Sequence, residues 1–133
     1  MFNRAVEDET LALAASYGSG FISFSPLAQG LLTDKYLKGI PEHSRAARST
    51  GYLQKDQVTA EKVGQASRLN EIAVRRGQSL AEMALAWILK DERMTSVIAG
   101  ASSVEQLAAN LRTLSNLDFT TEELSEIDDI LKR

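Results

Sequence analysis

Cysteine is absent from the 133 residues, which excludes a disulfide framework, a thiolate metal site and a cysteine nucleophile. Histidine occurs once, at His43, so no histidine metal cluster or histidine–carboxylate pair can be claimed, and His43 reads as a loop residue. No apolar stretch approaches the roughly 18 to 20 residues of a membrane span. The opening MFNRAVEDETLALAAS puts acids and polar residues where a signal peptide keeps its apolar core. An excess of positive charge is missing too. With 15 Lys and Arg against 18 Asp and Glu the net charge is −3, and the cations are scattered among acids. Nucleic acid and an anionic membrane are therefore not expected partners. A cytoplasmic protein is the default expectation, with which the lack of cysteine agrees.

What is present is ordinary for one soluble globular domain: 44% hydrophobic and 25% charged residues, on a chain long enough to bury a core. Residues 6–16 predict a short helix carrying Val6, Leu11, Leu13 and Ala14, stopped by Gly18 and Gly20. Gly20 to Ser25 predicts a short buried strand. Residues 26–58 are loop-rich and hold both prolines, Pro26 and Pro41. A loop that long inside a compact domain is usually functional or disordered. From Thr59 the spacing of Val63, Ala66, Leu69, Ile72 and Ala73 predicts a helix up to Gly77. Ser79 to Glu82 reads as a capping box opening a second one. Ser96 to Ala99 predicts another buried strand. Ser103 and Thr120 open two more helices, the first with Val104, Leu107, Ala108 and Leu111 on one face. Helices alternating with apolar strands point to an α/β fold with parallel strands. Two strands cannot close a barrel, and their open edges make the pattern look like a part of something larger.

The residues that carry chemistry lie at the two strand ends. Ile22 to Phe24 stops at Ser25-Pro26. The small residues Ala28 and Gly30 follow, then Lys35-Tyr36 and Ser44-Arg45. A rigid strand end, unobstructed backbone N–H groups and two cations are what a phosphate site requires. The junction VIAGASSVEQLAAN at 97–110 has the same logic, with a helix N-terminus near Ser103. Each residue also has a plainer reading. Lys35 and Arg45 can be solvated charge, Ser102 and Gln106 helix caps, and Asn110 an exposed helix residue. Gly18-Ser19-Gly20 precedes its strand and reads as a helix stop, not a dinucleotide fingerprint. Trp87 sits on an apolar stripe, and the paired acids lie in first turns or on solvated faces.

These motifs, from Phe24-Ser25-Pro26-Leu27-Ala28-Gln29-Gly30 through Lys35-Tyr36 and Ser44-Arg45 to Gly100-Ala101-Ser102, Gln106 and Asn110, resemble the aldo-keto reductases. They are nearest the branch of the potassium channel β subunits and bacterial glyceraldehyde-3-phosphate-type reductases. The opening Phe2-Asn3-Arg4-Ala5-Val6-Glu7 is similar to the stretch after that family's sixth strand, so the likeness covers essentially the whole chain. It implies a partial TIM (β/α)8 barrel, its last two strands and their helices, as one portion over residues 1–133. It implies cofactor contacts from Phe24, Ser25, Pro26, Leu27, Ala28, Gly30, Lys35, Arg45, Gly100, Ser102, Gln106 and Asn110. The implied cofactor is NADPH. NADH stays open, because many NADPH-using relatives carry cations near the positions of Gly100 and Gln106. The family's catalytic tyrosine, lysine, aspartate and histidine belong to its first barrel half, so the resemblance implies no catalytic residue here and a chain inactive by itself. Two alternatives stand beside this reading. One is a non-catalytic nucleotide-binding regulatory subunit. The other is a truncated or split product that works by self-association or by pairing with a missing N-terminal half.

Overall fold

A computed structural model describes the chain apart from residues 43, 48–52 and 132–133 and the side chain of Arg45. The sole histidine and the Arg45 side chain, both weighed above, lie outside the described residues. The order is α1 (Thr10–Ser16), β1 (Phe21–Phe24), α2 (Ala60–Arg75), α3 (Leu80–Leu89), β2 (Met94–Ile98), α4 (Val104–Arg112) and α5 (Thr121–Leu131). Short 3-10 turns at Ala28–Gly30, Asp34–Tyr36, Arg45–Ala47 and Lys55–Gln57 are the only regular structure described between β1 and α2.

Local chemistry sets the helix ends. Thr59 Oγ1 accepts the Lys62 N–H at 3.2 Å and opens α2, and Gly77 closes it with a φ of +68°. Thr120 and Glu123 cap α5 reciprocally, at 2.9 and 3.2 Å. The apolar stripe of α2 (Ala66, Leu69, Ile72, Ala73) meets α3, which is buried on most of its surface. Ile127 and Ile130 of α5 complete the same core. This is burial of apolar stripes by helix spacing, and it supplies most of the stabilisation.

The α3 N-terminus contains a buried acid. Glu82 accepts from the Ser79 N–H at 2.7 Å, the Ser79 hydroxyl at 2.8 Å and Arg112 Nε at 3.0 Å. Burial alone would raise its pKa, but the Ser79 and Arg112 contacts outweigh that and hold it below the ordinary 4.5. A depressed folded pKa gives stability that is full above the unfolded value and is lost as pH falls through the folded one. Urea midpoints are therefore expected to fall as pH drops below about 4.5, and Glu82→Gln should flatten that part of the curve. An unchanged slope in Glu82→Gln would contradict this assignment.

β1 and β2 pair in parallel, with Phe21 opposite Met94, Ile22 opposite Ser96, Ser23 opposite Val97 and Phe24 opposite Ile98. Gly20 does more than stop a helix. A Cβ there would come within 2.8 Å of Thr95 Oγ1, the atom that accepts the Phe21 N–H at 3.0 Å.

Three expectations need correcting. The first helix begins at Thr10, because residues 5–9 are turns; only Leu11 is buried, and Leu13 is 59% exposed. Neither strand is buried: Ile22, Phe24 and Ile98 are 57%, 80% and 63% exposed. The apolar face of α4 is uncovered as well, with no buried residue in that helix. The two strands and α4 form close to where the residue pattern puts them, but their outer faces are uncovered among the described residues.

Candidate functional site

Parallel pairing decides where the two predicted loops meet. Phe24 lies opposite Ile98, so the segments starting at Ser25 and Ala99 leave the sheet side by side, at the carboxyl ends of both strands. In open parallel sheets that end is where ligands bind.

The backbone after β1 is unusual. Ser25, Ala28 and Gln29 have φ of 50°, 48° and 60°, and they are the only non-glycine residues with positive φ among those described. Gly30 follows at 101°. A left-handed conformation costs a non-glycine residue about 1–3 kcal/mol, and such strain collects at functional sites. Gln29 was not singled out from the sequence, where asparagine, aspartate or glycine would have signalled such a turn. Its amide donates to Ser25 Oγ at 3.2 Å. The chain turns again at Thr33, whose hydroxyl donates to the Gly30 carbonyl at 2.7 Å and accepts from the Lys35 N–H at 3.2 Å. Lys35 is exposed, while its neighbour Tyr36 is 2% exposed. Adjacent residues face opposite ways here, Lys35 to solvent and Tyr36 into the loop's own small core. Leu31, Tyr36, Ala46 and Leu53 form a small core of their own that holds the loop. Pro26 is buried, and Leu27, Ala28 and Gly30 are half-buried.

At the second junction the plainer reading holds at the level of contacts. The Ser102 N–H and hydroxyl both donate to Gln106 Oε1, at 2.8 and 2.9 Å, and Ser103 Oγ accepts the Gln106 N–H at 3.2 Å. Ser103 thus caps the helix, and the Gln106 side chain reaches back to hold Ser102 in front of it. The Glu105 carboxyl is held below its ordinary value by its own N–H and the Ser103 hydroxyl, which puts a negative charge at the same helix start. Gly100 has open space around it, and Asn110 is half-buried on α4. The structure therefore gathers Phe24 to Gly30 into one strained turn and places the 100–106 junction beside it.

A cleft of about 730 Å³ lies beside β1 and takes in Phe24, Ser25, Pro26 and Ala28, but not Lys35 or the second junction. Its wall includes Trp87, whose ring carries the Arg4 guanidinium at 4.8 Å and the Lys90 ammonium at 4.7 Å. No group of acids and histidines able to hold a metal occurs among the described residues. No described helix is long and apolar enough to cross a membrane.

The sequence profile of the Aldo/keto reductase family matches residues 1–132. An L-glyceraldehyde 3-phosphate reductase of Escherichia coli O157:H7 is 54% identical over 114 residues, which are 84% of this chain and 33% of the relative. The reductase of the same description from Escherichia coli K12 is 52% identical over the same shares. A protein named as a voltage-gated potassium channel subunit beta, from Schizosaccharomyces pombe, is 37% identical over 129 residues, 94% of this chain and 38% of the relative. The chain thus spans between 33% and 38% of the length of these relatives.

Proposed function

Because the chain belongs to the aldo/keto reductase family, we propose that its 133 residues are the carboxyl-terminal, NADPH-holding portion of such a reductase. On this reading β1, β2 and their helices are the last two strand–helix units of a (β/α)8 barrel. They form one portion with the 26–58 loop over the cofactor. The observation that carries it is the strained turn Ser25–Gly30 at the carboxyl end of β1, beside the carboxyl end of β2. Loops after the seventh and eighth strands of this barrel type recurrently form a phosphate site.

The residues fit a dinucleotide. The left-handed turn bonds its own Ala28 and Gly30 N–H groups to the Ser25 and Leu27 carbonyls at 3.0 and 2.9 Å, and so holds a fixed loop of small residues against which a pyrophosphate would lie. The Lys35 ammonium is exposed and has no hydrogen bond or ion pair among the described residues, so it is free to reach phosphate. Arg45 adds a second cation from the same loop. Phe24, 80% exposed, offers a ring face at the strand end. Ser102, Gln106 and Asn110 would hold the adenosine end, with Gln106 releasing Ser102 as it does so, and Gly100 leaves that approach open. NADPH, when bound, supplies hydride. The parent reaction is reduction of an aldehyde or ketone to an alcohol, in the cytoplasm. The family resemblance places the catalytic tyrosine, lysine, aspartate and histidine in the first barrel half, so on this reading the 133 residues alone are inactive.

A charge-assisted hydrogen bond contributes about 1.5–3 kcal/mol. Lys35→Ala is therefore expected to weaken NADPH binding roughly tenfold to a hundredfold, with a shallower salt dependence than the parent chain. Equilibrium titration over a salt series checks this. Equal affinity in parent and variant would remove Lys35 from the site. The channel-subunit relative favours a second reading, a regulatory subunit that binds the nucleotide without turnover. Aldehyde-dependent NADPH oxidation by the chain joined to the rest of a barrel separates the two readings, since turnover excludes a purely regulatory role.

A further inference from the structure

The Ser25–Gly30 turn and the short turn that carries Lys35 are separate pieces of backbone, joined by Leu31, Leu32 and Thr33. Leu31 enters the small core of the loop and Leu32 the principal core, so the chain is pinned on two sides just after Gly30. Thr33 then runs extended, with φ of −137° and ψ of 171°, and the 3-10 turn Asp34–Tyr36 follows it. An extended residue does not by itself fix where the next turn points.

The Thr33 hydroxyl does. It donates to the Gly30 carbonyl at 2.7 Å and accepts the Lys35 N–H at 3.2 Å. A helix cap of the ordinary kind uses only the acceptor side of its hydroxyl. Here the donor side also reaches back, to the last residue of the strained turn. One oxygen therefore ties Gly30 to Lys35. A second contact spans the same gap, because the Tyr36 ring edge lies 3.5 Å from where a Cβ on Gly30 would stand. The Tyr36 hydroxyl is buried with no hydrogen-bond partner among the described residues, so Tyr36 acts there through its ring. Lys35 sits between the two contacts and is exposed. Threonine suits the task, since β-branching restricts χ1 and so limits where the hydroxyl can sit.

We infer that Thr33 is a positioning residue for phosphate binding: its hydroxyl fixes the Lys35 backbone relative to the Ser25–Gly30 turn, so that ammonium and turn meet one ligand together. The inference rests on the proposed function, which makes Lys35 a phosphate ligand; the clasp itself rests on the two hydrogen bonds. Thr33 acts through Lys35 and not by touching the cofactor. A lysine side chain is long and flexible, and a backbone already in place lowers the ordering cost of binding.

The test titrates NADPH into the parent chain, Thr33→Val, Thr33→Ser, Lys35→Ala and the double variant Thr33→Val/Lys35→Ala, over a salt series. Thr33→Val keeps the side chain's shape and loses both bonds. It is expected to bind about fivefold more weakly, the size of one neutral hydrogen bond, with a salt dependence flattened toward that of Lys35→Ala. Thr33→Ser keeps the hydroxyl and should stay within about twofold of the parent, with the parent's salt slope. In the Lys35→Ala background the valine should cost less than about twofold, because the cation it misplaces is gone. A general loosening of the loop gives a different pattern, an unchanged salt slope and a loss that adds in full to Lys35→Ala. Either of those results overturns the positioning role, as does parent-like affinity in Thr33→Val. Where circular dichroism shows Thr33→Val to be unfolded, Thr33→Ala is read by the same criteria. The cofactor reading fails elsewhere in the same experiment. A parent chain that binds no NADPH, or Lys35→Ala that binds it like the parent, overturns that reading and the inference with it, whatever the Thr33 variants do.

Discussion

Arg76→Ala is expected to destabilise the chain by about 3 kcal/mol. Although arginines usually sit on the surface, the Arg76 side chain is only 3% exposed. Its Nε donates to Gln78 Oε1 at 2.9 Å, and its two terminal nitrogens donate to Glu123 Oε2 at 2.5 Å and Asn116 Oδ1 at 3.3 Å. The guanidinium also stacks 3.7 Å from the Phe119 ring centre. Gln78 in turn donates to the Asn116 carbonyl at 3.0 Å. One side chain thus ties the end of α2 to the segment before α5 and to the first turn of α5. Its removal leaves Glu123, 22% exposed, without its cation and several acceptors without donors, and breaking a buried pair is costly for that reason. Arg75 provides the contrast. It pairs with Glu126, but the two side chains are 54% and 45% exposed, so water screens the pair and Arg75→Ala should cost under about 1 kcal/mol. Lysine at position 76 should recover little, because it lacks the planar fork and the stacking face. Urea unfolding of the three variants decides the matter; equal midpoints for Arg76→Ala and Arg75→Ala would refute the network's importance.

The second large effect is expected at Gly30→Val. Gly30 sits at a φ of 101°, a region that β-branched residues avoid at a cost of about 2 kcal/mol or more. Its added Cβ would also meet the Tyr36 ring at 3.5 Å, an ordinary contact for one carbon that leaves little room for two further methyls. Turning φ negative to relieve this would reshape the Ser25–Gly30 turn, in which the Gly30 N–H donates to the Leu27 carbonyl at 2.9 Å. Gly30 is not part of the principal core, so the unfolding midpoint should move modestly while NADPH affinity falls on the order of a hundredfold. Gly30→Ala should lie between. A Gly30→Val chain that binds NADPH like the parent would show that the turn is not what holds the cofactor.

Much of the fold was legible because it depends on short-range chemistry. Thr59, Ser79, Ser103 and Thr120 were read as helix starts, and each caps as read. The stripe Ala66, Leu69, Ile72, Ala73 is buried as its spacing requires. The parallel pairing followed from the alternation of helices with apolar runs. What could not be read was burial that depends on neighbours. Ile22, Phe24, Ile98 and the α4 face have the pattern of buried surface, yet whether a layer covers them is a fact about other segments. The candidate site was legible as an order of residue types, not as geometry. Nothing in Ser25, Ala28 or Gln29 announces positive φ, because serine, alanine and glutamine do not favour it. Likewise Gln106 was read as a ligand group with capping as the plainer reading, and the contacts it makes are with its neighbours Ser102 and Ser103.

Without the rest of a barrel, this chain is expected to hold the pyrophosphate end of NADPH by itself. Its one tryptophan, Trp87, and the fluorescence of NADPH itself give two readouts for a single titration of the folded chain. A saturable change with one-to-one stoichiometry is expected, competed away by the oxidised cofactor. A linear, unsaturable response from a chain that circular dichroism finds folded would rule NADPH binding out.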